Sequence, residues 1–170
     1  GTRGRVTVVW HPCGLPEKAL RATLGGLSED PEAETGVAVR LPFDEHGADT
    51  LLITHSADFF AEPHVDGLIG YAKVFHQAGV SWTISSKASE AANFAMFIGS
   101  HDQMGKIAER IRDAAIELGV KRILVGECGH AWRVAYNFGD PMVGPFEFLD
   151  PYYATTTQIC AITYGHRRLH

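Results

Sequence analysis

Cysteine is scarce in this chain. Its 170 residues hold three, Cys13, Cys128 and Cys160, in unrelated contexts. An odd, small number does not make a disulfide framework, and a reducing cytosolic setting fits better. Long apolar runs are missing as well. Nothing approaches the ~20 residues that a bilayer-spanning helix needs, so no membrane-spanning segment is expected. The first residues carry no charged-then-apolar pattern, and no signal peptide is expected there. Basic blocks are absent and the net charge is −5, which argues against nucleic acid as a partner. The glycines make neither the dinucleotide fingerprint nor the phosphate-loop pattern. There is no nucleophile elbow, no repeat at a solenoid period and no low-complexity tract.

What is present is ordinary globular material. Hydrophobic residues make up 45% and charged residues 21%, enough to build a core and too apolar for disorder. At this length a single domain over 1–170 is the prior. Nine histidines are many for the length and hint at metal or acid–base chemistry, although scattered histidines more often lie on surfaces.

Taken in order, Arg5-Val6-Thr7-Val8-Val9-Trp10 reads as a strand, running into the turn His11-Pro12-Cys13-Gly14. Residues 16–24 are helix-like, with Pro16 at a first helical position and Gly25-Gly26 as the stop. The acidic stretch 28–36 reads as a surface loop, 37–41 as a strand closed by Pro42, and 44–49 as a polar loop. Thr50-Leu51-Leu52-Ile53-Thr54 is a buried-strand pattern, followed at once by His55-Ser56-Ala57-Asp58. Residues 65–78 have helical periodicity through Leu68, Ala72, Phe75 and Ala78, and Gly79 ends them. Residues 80–84 form the next strand, leading to Ser85-Ser86-Lys87. Residues 89–97 suggest a buried helix, with Phe94 and Phe97, like Tyr71 and Phe75, in the core. The clearest helix is 101–118, with Met104, Ile107, Ala108, Ile111, Ala115 and Leu118 on one face and Gly119 as its cap. A strand at 121–125 follows. Beyond it, glycine and proline punctuate a loosely structured C-terminal segment at 139–170.

Strands alternating with helices predict an α/β fold: a three-layer domain with a mostly parallel sheet and helices on both faces. One pattern then recurs. His11 to Cys13, His55-Ser56, Ser85-Ser86 and Glu127 to His130 each follow a strand, so a parallel sheet would bring all four groups to one rim. In such folds ligands bind outside the carboxyl ends of the strands.

The last of these groups, Gly126-Glu127-Cys128-Gly129-His130-Ala131-Trp132-Arg133, is the richest. Cys128 with His130, completed by His11 and Cys13, would make a small zinc or mononuclear-metal site. A thiolate nucleophile is a second reading, favoured by a helix start after Cys128 and opposed by Glu127. The plain third reading is a small buried hydrophobe, and Cys160 has the same plain reading. Ser56, His55 and Asp58 are sequence neighbours, which rarely take up triad geometry.

Four stretches together resemble a known family. They are Ser56-Ala57-Asp58-Phe59-Phe60, Gly70-Tyr71-Ala72-Lys73-Val74-Phe75-His76, the run from Trp82 to Phe94, and the run from Gly126 to Arg133. They resemble the cysteine-rich-domain iron–sulfur oxidoreductases related to the catalytic subunit of heterodisulfide reductase. Within that family they resemble the branch of sulfite-reductase-linked and dimethylglycine-catabolism electron-transfer proteins. The resemblance covers about 44–160.

It implies a modular parent in which a ferredoxin-like module, often membrane-associated, precedes two cysteine-rich halves. The full family motif is a cysteine, a Cys-Cys-Gly and a Cys-x-x-Cys, holding a [4Fe–4S]-type cluster. This chain resembles a degenerate first half. Ser56 stands near the first cysteine, 85–93 near the Cys-Cys-Gly, and Ala131 where the partner of Cys128 would sit. The resemblance therefore implies a cytoplasmic domain, membrane-associated through its parent, that lacks the C-terminal cysteine-rich half and the ferredoxin-like module. It also implies redox partner proteins and a cluster in the parent that this chain alone need not hold. Cys128 becomes the metal ligand. Glu127, His130 and Arg133 tune charge and protons around it, and Ser56, Ser86, Glu90 and Asn93 line the same rim. The implied function is electron transfer to or from a thiol, disulfide or sulfur substrate, or another carrier. The rival is a non-catalytic scaffold or docking domain.

Overall fold

The computed structural model describes residues 18–19, 21–23, 40–54, 62–88, 93–125 and 147–149. The elements are β1 (Thr50–Ile53), α1 (Glu62–Ala78), β2 (Trp82–Thr83), α2 (Asn93–Phe97), α3 (His101–Leu118), β3 (Arg122–Val125) and β4 (Glu147–Leu149). Residues 18–19 and 21–23 are helical, inside the helix expected at 16–24.

The strands form one sheet in the order β2-β1-β3-β4, and every pairing is parallel. The α/β class with a parallel sheet is thus what the molecule shows. Thr50 pairs with Trp82 on one side of β1 and with Arg122 on the other. All four β1 residues are buried, the pattern of a central parallel strand covered on both faces.

Side chains of β1 and β3 alternate between two core clusters. Leu52 and Leu124 pack with Leu68, Ala72 and Phe75 of α1. Leu51, Ile53, Ile123 and Val125 pack with Ala114, Ala115 and Leu118 of α3. Because successive strand residues point to opposite faces, α1 and α3 lie against opposite sides of these strands. Topology requires the same. The β1-to-β2 crossover runs one way along the sheet and the β2-to-β3 crossover runs back past β1, so two right-handed crossovers put their helices on opposite faces.

Local sequence explains the helix limits. Helix α1 starts three residues before the expected 65, with Pro63 in its first turn, where a missing N–H costs nothing. Helix α3 spans the expected 101–118. The Ser100 side chain accepts from the Gln103 N–H, and Asp102 places a negative charge in the first turn. Gly119 ends it at φ 69°, a left-handed conformation that glycine takes without steric cost, and donates to the Ala115 and Ile116 carbonyls.

Four expectations need correction. Phe97 is 71% exposed and not core, because α2 is a single short turn whose buried side is Ala95, leaving Phe97 on the other side. Tyr71 is partly buried, while Phe75 is core as expected. The strand at 80–84 shortens to Trp82–Thr83. Of the strand expected at 37–41, only 40 and 41 are among the described residues; neither is in a strand, and pairing comes beyond Pro42. Phe43 bridges Ile84 in parallel fashion, because the proline has no N–H but its carbonyl accepts from Ile84 (3.0 Å). Within 139–170 the described residues are 147–149, which form β4 and pair with β3 from Arg122↔Glu147 to Leu124↔Leu149.

Candidate functional site

The parallel register aligns the carboxyl ends of the strands. Ile53 pairs with Val125, and Thr83 stands beside Leu51. The chain therefore leaves β1, β2 and β3 from the same edge. From β1 it goes on to β2, on one side, while from β3 it goes on to β4, on the other. Neighbouring strands whose connections leave in opposite directions make a switch point, and the crevice outside their carboxyl ends is the favoured ligand position in α/β sheets. In this sheet that position is the edge shared by β1 and β3, beyond the Ile53–Val125 pair.

Thr54 closes β1. It is 1% exposed, and its hydroxyl has no hydrogen-bond partner among the described residues. Other buried hydroxyls near this edge are satisfied. Thr83 Oγ1 accepts from the Glu45 N–H (3.0 Å) and donates to the Ile84 carbonyl (3.2 Å). Ser85 Oγ accepts from the Lys87 N–H (3.1 Å).

The turn after β2 is held from outside the sheet. Asp44 sits at φ 54°, a left-handed conformation that aspartate tolerates better than most residues. Its backbone N–H donates to the Ile84 carbonyl (2.8 Å), and its Oδ1 accepts from the Ser86 N–H (2.8 Å). The Arg21 guanidinium donates to its Oδ2 (2.6 Å) and also stacks over the Phe43 ring, 4.6 Å from its centroid. Asp44 thus fixes where the half-buried Ser86 is presented.

Of the candidate residues, Ser86 is placed on this edge, and Asn93 opens α2. Ser56, Glu90, Glu127, Cys128, His130 and Arg133 lie outside the described residues, as do His11, Cys13, His55, Asp58 and Cys160. Among the described residues no group of three or more His, Cys, Asp or Glu side chains could hold a metal ion. They therefore offer no ligand set of their own for a cluster. At the carboxyl end of β1 they hold one buried hydroxyl without a hydrogen-bond partner among them, that of Thr54. Thr54 and Asp44 carry little signal in the sequence. The signal for Thr54 is a hydroxyl closing an otherwise aliphatic strand. Asp44 gives no signal beyond being a polar loop residue.

A separate groove of about 570 Å³ runs along α3, lined by Lys87, Lys106, Glu109, Arg110, Asp113, Ala114 and Glu117. Its charges are of mixed sign and several are paired. Lys87 bonds Glu117 at 2.6 Å and Lys106 bonds Asp102 at 2.8 Å. Burial lowers Arg110 to about 10, which leaves it charged at neutral pH. Among the described residues no helix is long and apolar enough to cross a membrane.

No family model matches the chain, and no solved structure matches it significantly. Two curated relatives do. The chain is 38% identical over 124 residues to the Hdr-like menaquinol oxidoreductase iron-sulfur subunit of Archaeoglobus profundus, a match covering 71% of the chain. It is 36% identical over 132 residues, 75% of the chain, to the Hdr-like menaquinol oxidoreductase iron-sulfur subunit 2 of Archaeoglobus fulgidus. The matches take in 22% and 23% of those proteins, so the chain spans about a fifth of the length of the curated relatives it matches.

Proposed function

We propose that this chain is a domain of an Hdr-like iron–sulfur electron-transfer subunit, in which it contributes one wall of the redox site. The 36–38% identity to iron-sulfur subunits carries this reading, and the shared carboxyl edge of β1, β2 and β3 supports it. The finer branch proposed is that of the sulfite-reductase-linked and dimethylglycine-catabolism proteins, with this chain as the degenerate first cysteine-rich half. We read the two core clusters as the two interlayer cores of a three-layer domain over 1–170.

The proposed cofactor is a [4Fe–4S] cluster held largely by parts of the parent outside this chain. It would supply one-electron transfer to or from a thiol, disulfide or sulfur substrate, or another carrier. Cys128 is the chain's single ligand to it, or a thiol facing it. Glu127, His130 and Arg133 set the charge around that thiol and move protons near it. Ser56, Ser86, Glu90 and Asn93 line the rim, Ser86 held there by Asp44. The relatives' names point to a quinol-linked complex, so the parent is proposed to work at the cytoplasmic face of a membrane through other modules. The partners are the second cysteine-rich half, the ferredoxin-like module and redox proteins.

The test is anaerobic iron and sulfide analysis with EPR, on the full-length wild-type protein and on Cys128→Ser. Stoichiometric iron, with a signal altered or lost in the variant, supports Cys128 as a ligand. Iron with an unchanged signal removes Cys128 from the site. No iron in either form sinks the iron–sulfur reading and leaves the scaffold.

A further inference from the structure

We propose that the groove along α3 is a contact between two copies of this chain, in which the two α3 helices lie antiparallel across a two-fold axis. Lys106 and Arg110 of one copy face Glu117 and Asp113 of the other. The proposal stands apart from the iron–sulfur reading and does not depend on it.

The order of charge along the helix carries the inference. Lys106, Arg110, Asp113 and Glu117 all line the groove. Their spacings of four, three and four residues set them on one stripe of α3. The buried residues Ile107, Ala108, Ala115 and Leu118 occupy the other side of the helix. From its amino end the stripe reads as two cations followed by two anions. Turned end over end, it reads as two anions followed by two cations, which is its own complement. An antiparallel copy, related by an axis between Arg110 and Asp113, sets Lys106 against Glu117 and Arg110 against Asp113, and each contact occurs twice. A dimer across a two-fold axis requires such a self-complementary patch. A parallel copy would set like charges together.

The groove gives this row a seat. It encloses about 570 Å³, and the stems of Lys87, Lys106 and Arg110 supply apolar wall beneath their charged heads. Ala114, which also lines it, is buried and adds no bulk. The charges on the stripe can change partners. Lys106 is held by Asp102, Glu117 by Lys87 and Asp113 by Arg112, all at the surface. Surface pairs contribute little, so giving them up for contacts that exclude water costs little. A different protein would have to bring a matching row of its own. A second copy already carries it, and matched rows fix both partner and register.

Charge reversal in the full-length protein separates the outcomes. Lys106→Glu with Arg110→Glu makes the stripe wholly acidic. Asp113→Arg with Glu117→Lys makes it wholly basic. Sedimentation velocity is the readout. The proposal expects a wild-type dimer that added salt dissociates. Each variant alone should sediment as a monomer, and an equal mixture of the two should recover the dimer. A wild type that stays monomeric at low salt and the highest soluble concentration overturns the proposal. Dimers that persist in both variants place the contact elsewhere and overturn it as well. Two monomeric variants that fail to pair on mixing overturn the charge matching on which it rests. Iron content plays no part in these outcomes, so the iron–sulfur reading stands or falls separately.

Discussion

The two ends of the sheet are built differently. At the amino end, polar groups are matched locally. The Asp49 carbonyl accepts from both the Lys121 and the Arg122 N–H, each at 3.0 Å, and the Asp49 carboxylate accepts from Lys121 Nζ at 2.6 Å. The Gly47 N–H donates to the Leu118 carbonyl at 2.8 Å, tying the loop before β1 to the end of α3. At the carboxyl end, Asp44 closes the β2 turn, yet Thr54 on the central strand is buried with an unmatched hydroxyl. An unmatched buried hydroxyl costs about 1–3 kcal/mol. The amino end is organised for joining strands. The carboxyl end carries a cost that strand pairing does not explain.

The largest effect should come from a residue that serves both ends. Phe75 is 2% exposed, meets Trp82 edge-on at 5.0 Å and packs in the same cluster as Leu52 and Leu124. Phe75→Ala should cost about 3–5 kcal/mol, the range for emptying a buried aromatic site. Urea unfolding measures the loss. Amide exchange should then quicken alike at Ser86 and Arg122, one at each end. Exchange confined to one end would show that the two ends unfold separately.

A smaller effect should fall on the carboxyl end alone. Asp44→Ala removes the acceptor for the Ser86 N–H and the partner of Arg21, and it leaves alanine in a left-handed conformation. A loss of about 2 kcal/mol follows from the charged hydrogen bond and the backbone strain together. Asp44→Asn keeps an acceptor and tolerates that backbone, so it should recover much of the loss. Ser86 should exchange faster in Asp44→Ala, with Gly47 and Arg122 unchanged. Equal quickening at Gly47 would erase the contrast between the ends.

The fold was more legible in the sequence than the site was. Helix α3 announces itself by the spacing from Met104 to Leu118 and by Ser100 and Gly119 at its ends, because those signals are local. Strands β1 and β3 announce themselves as aliphatic runs bounded by polar residues. β4 does not, since Glu147-Phe148-Leu149 is a strand only because β3 offers it an edge. Phe97 misled because an aromatic in a short apolar segment looks buried until the helix stops after five residues. Convergence of the strand ends followed from assuming a parallel sheet, and β1, β2 and β3 do share an edge. The switch point could not be read, because it depends on strand order rather than on any motif. Thr54 carries little signal for the same kind of reason: an unmatched hydroxyl is a property of its surroundings. Cys128 and its neighbours stood out by composition, and that remains their warrant.

The smallest effect belongs to the amino end and has a pH signature. The Lys121 hydrogen bond, helped by its charge and less by that of Arg122, holds the Asp49 carboxyl below its ordinary 3.8. A carboxylate whose folded-state value is depressed contributes stability that is present above the unfolded value. That contribution is lost as pH falls through the folded value. Asp49→Asn keeps the backbone carbonyl that Lys121 and Arg122 use and removes only the charge. Wild type should therefore be slightly more stable than Asp49→Asn at neutral pH, and the gap should close as pH drops below the normal aspartate range. Salt should shrink the neutral-pH gap too, since the pair is exposed and screened. Thermal unfolding midpoints across pH, at low and high salt, measure both trends. A gap that persists in acid would mean Asp49 acts through packing rather than charge, and the amino end would then owe its closure to the backbone bonds alone.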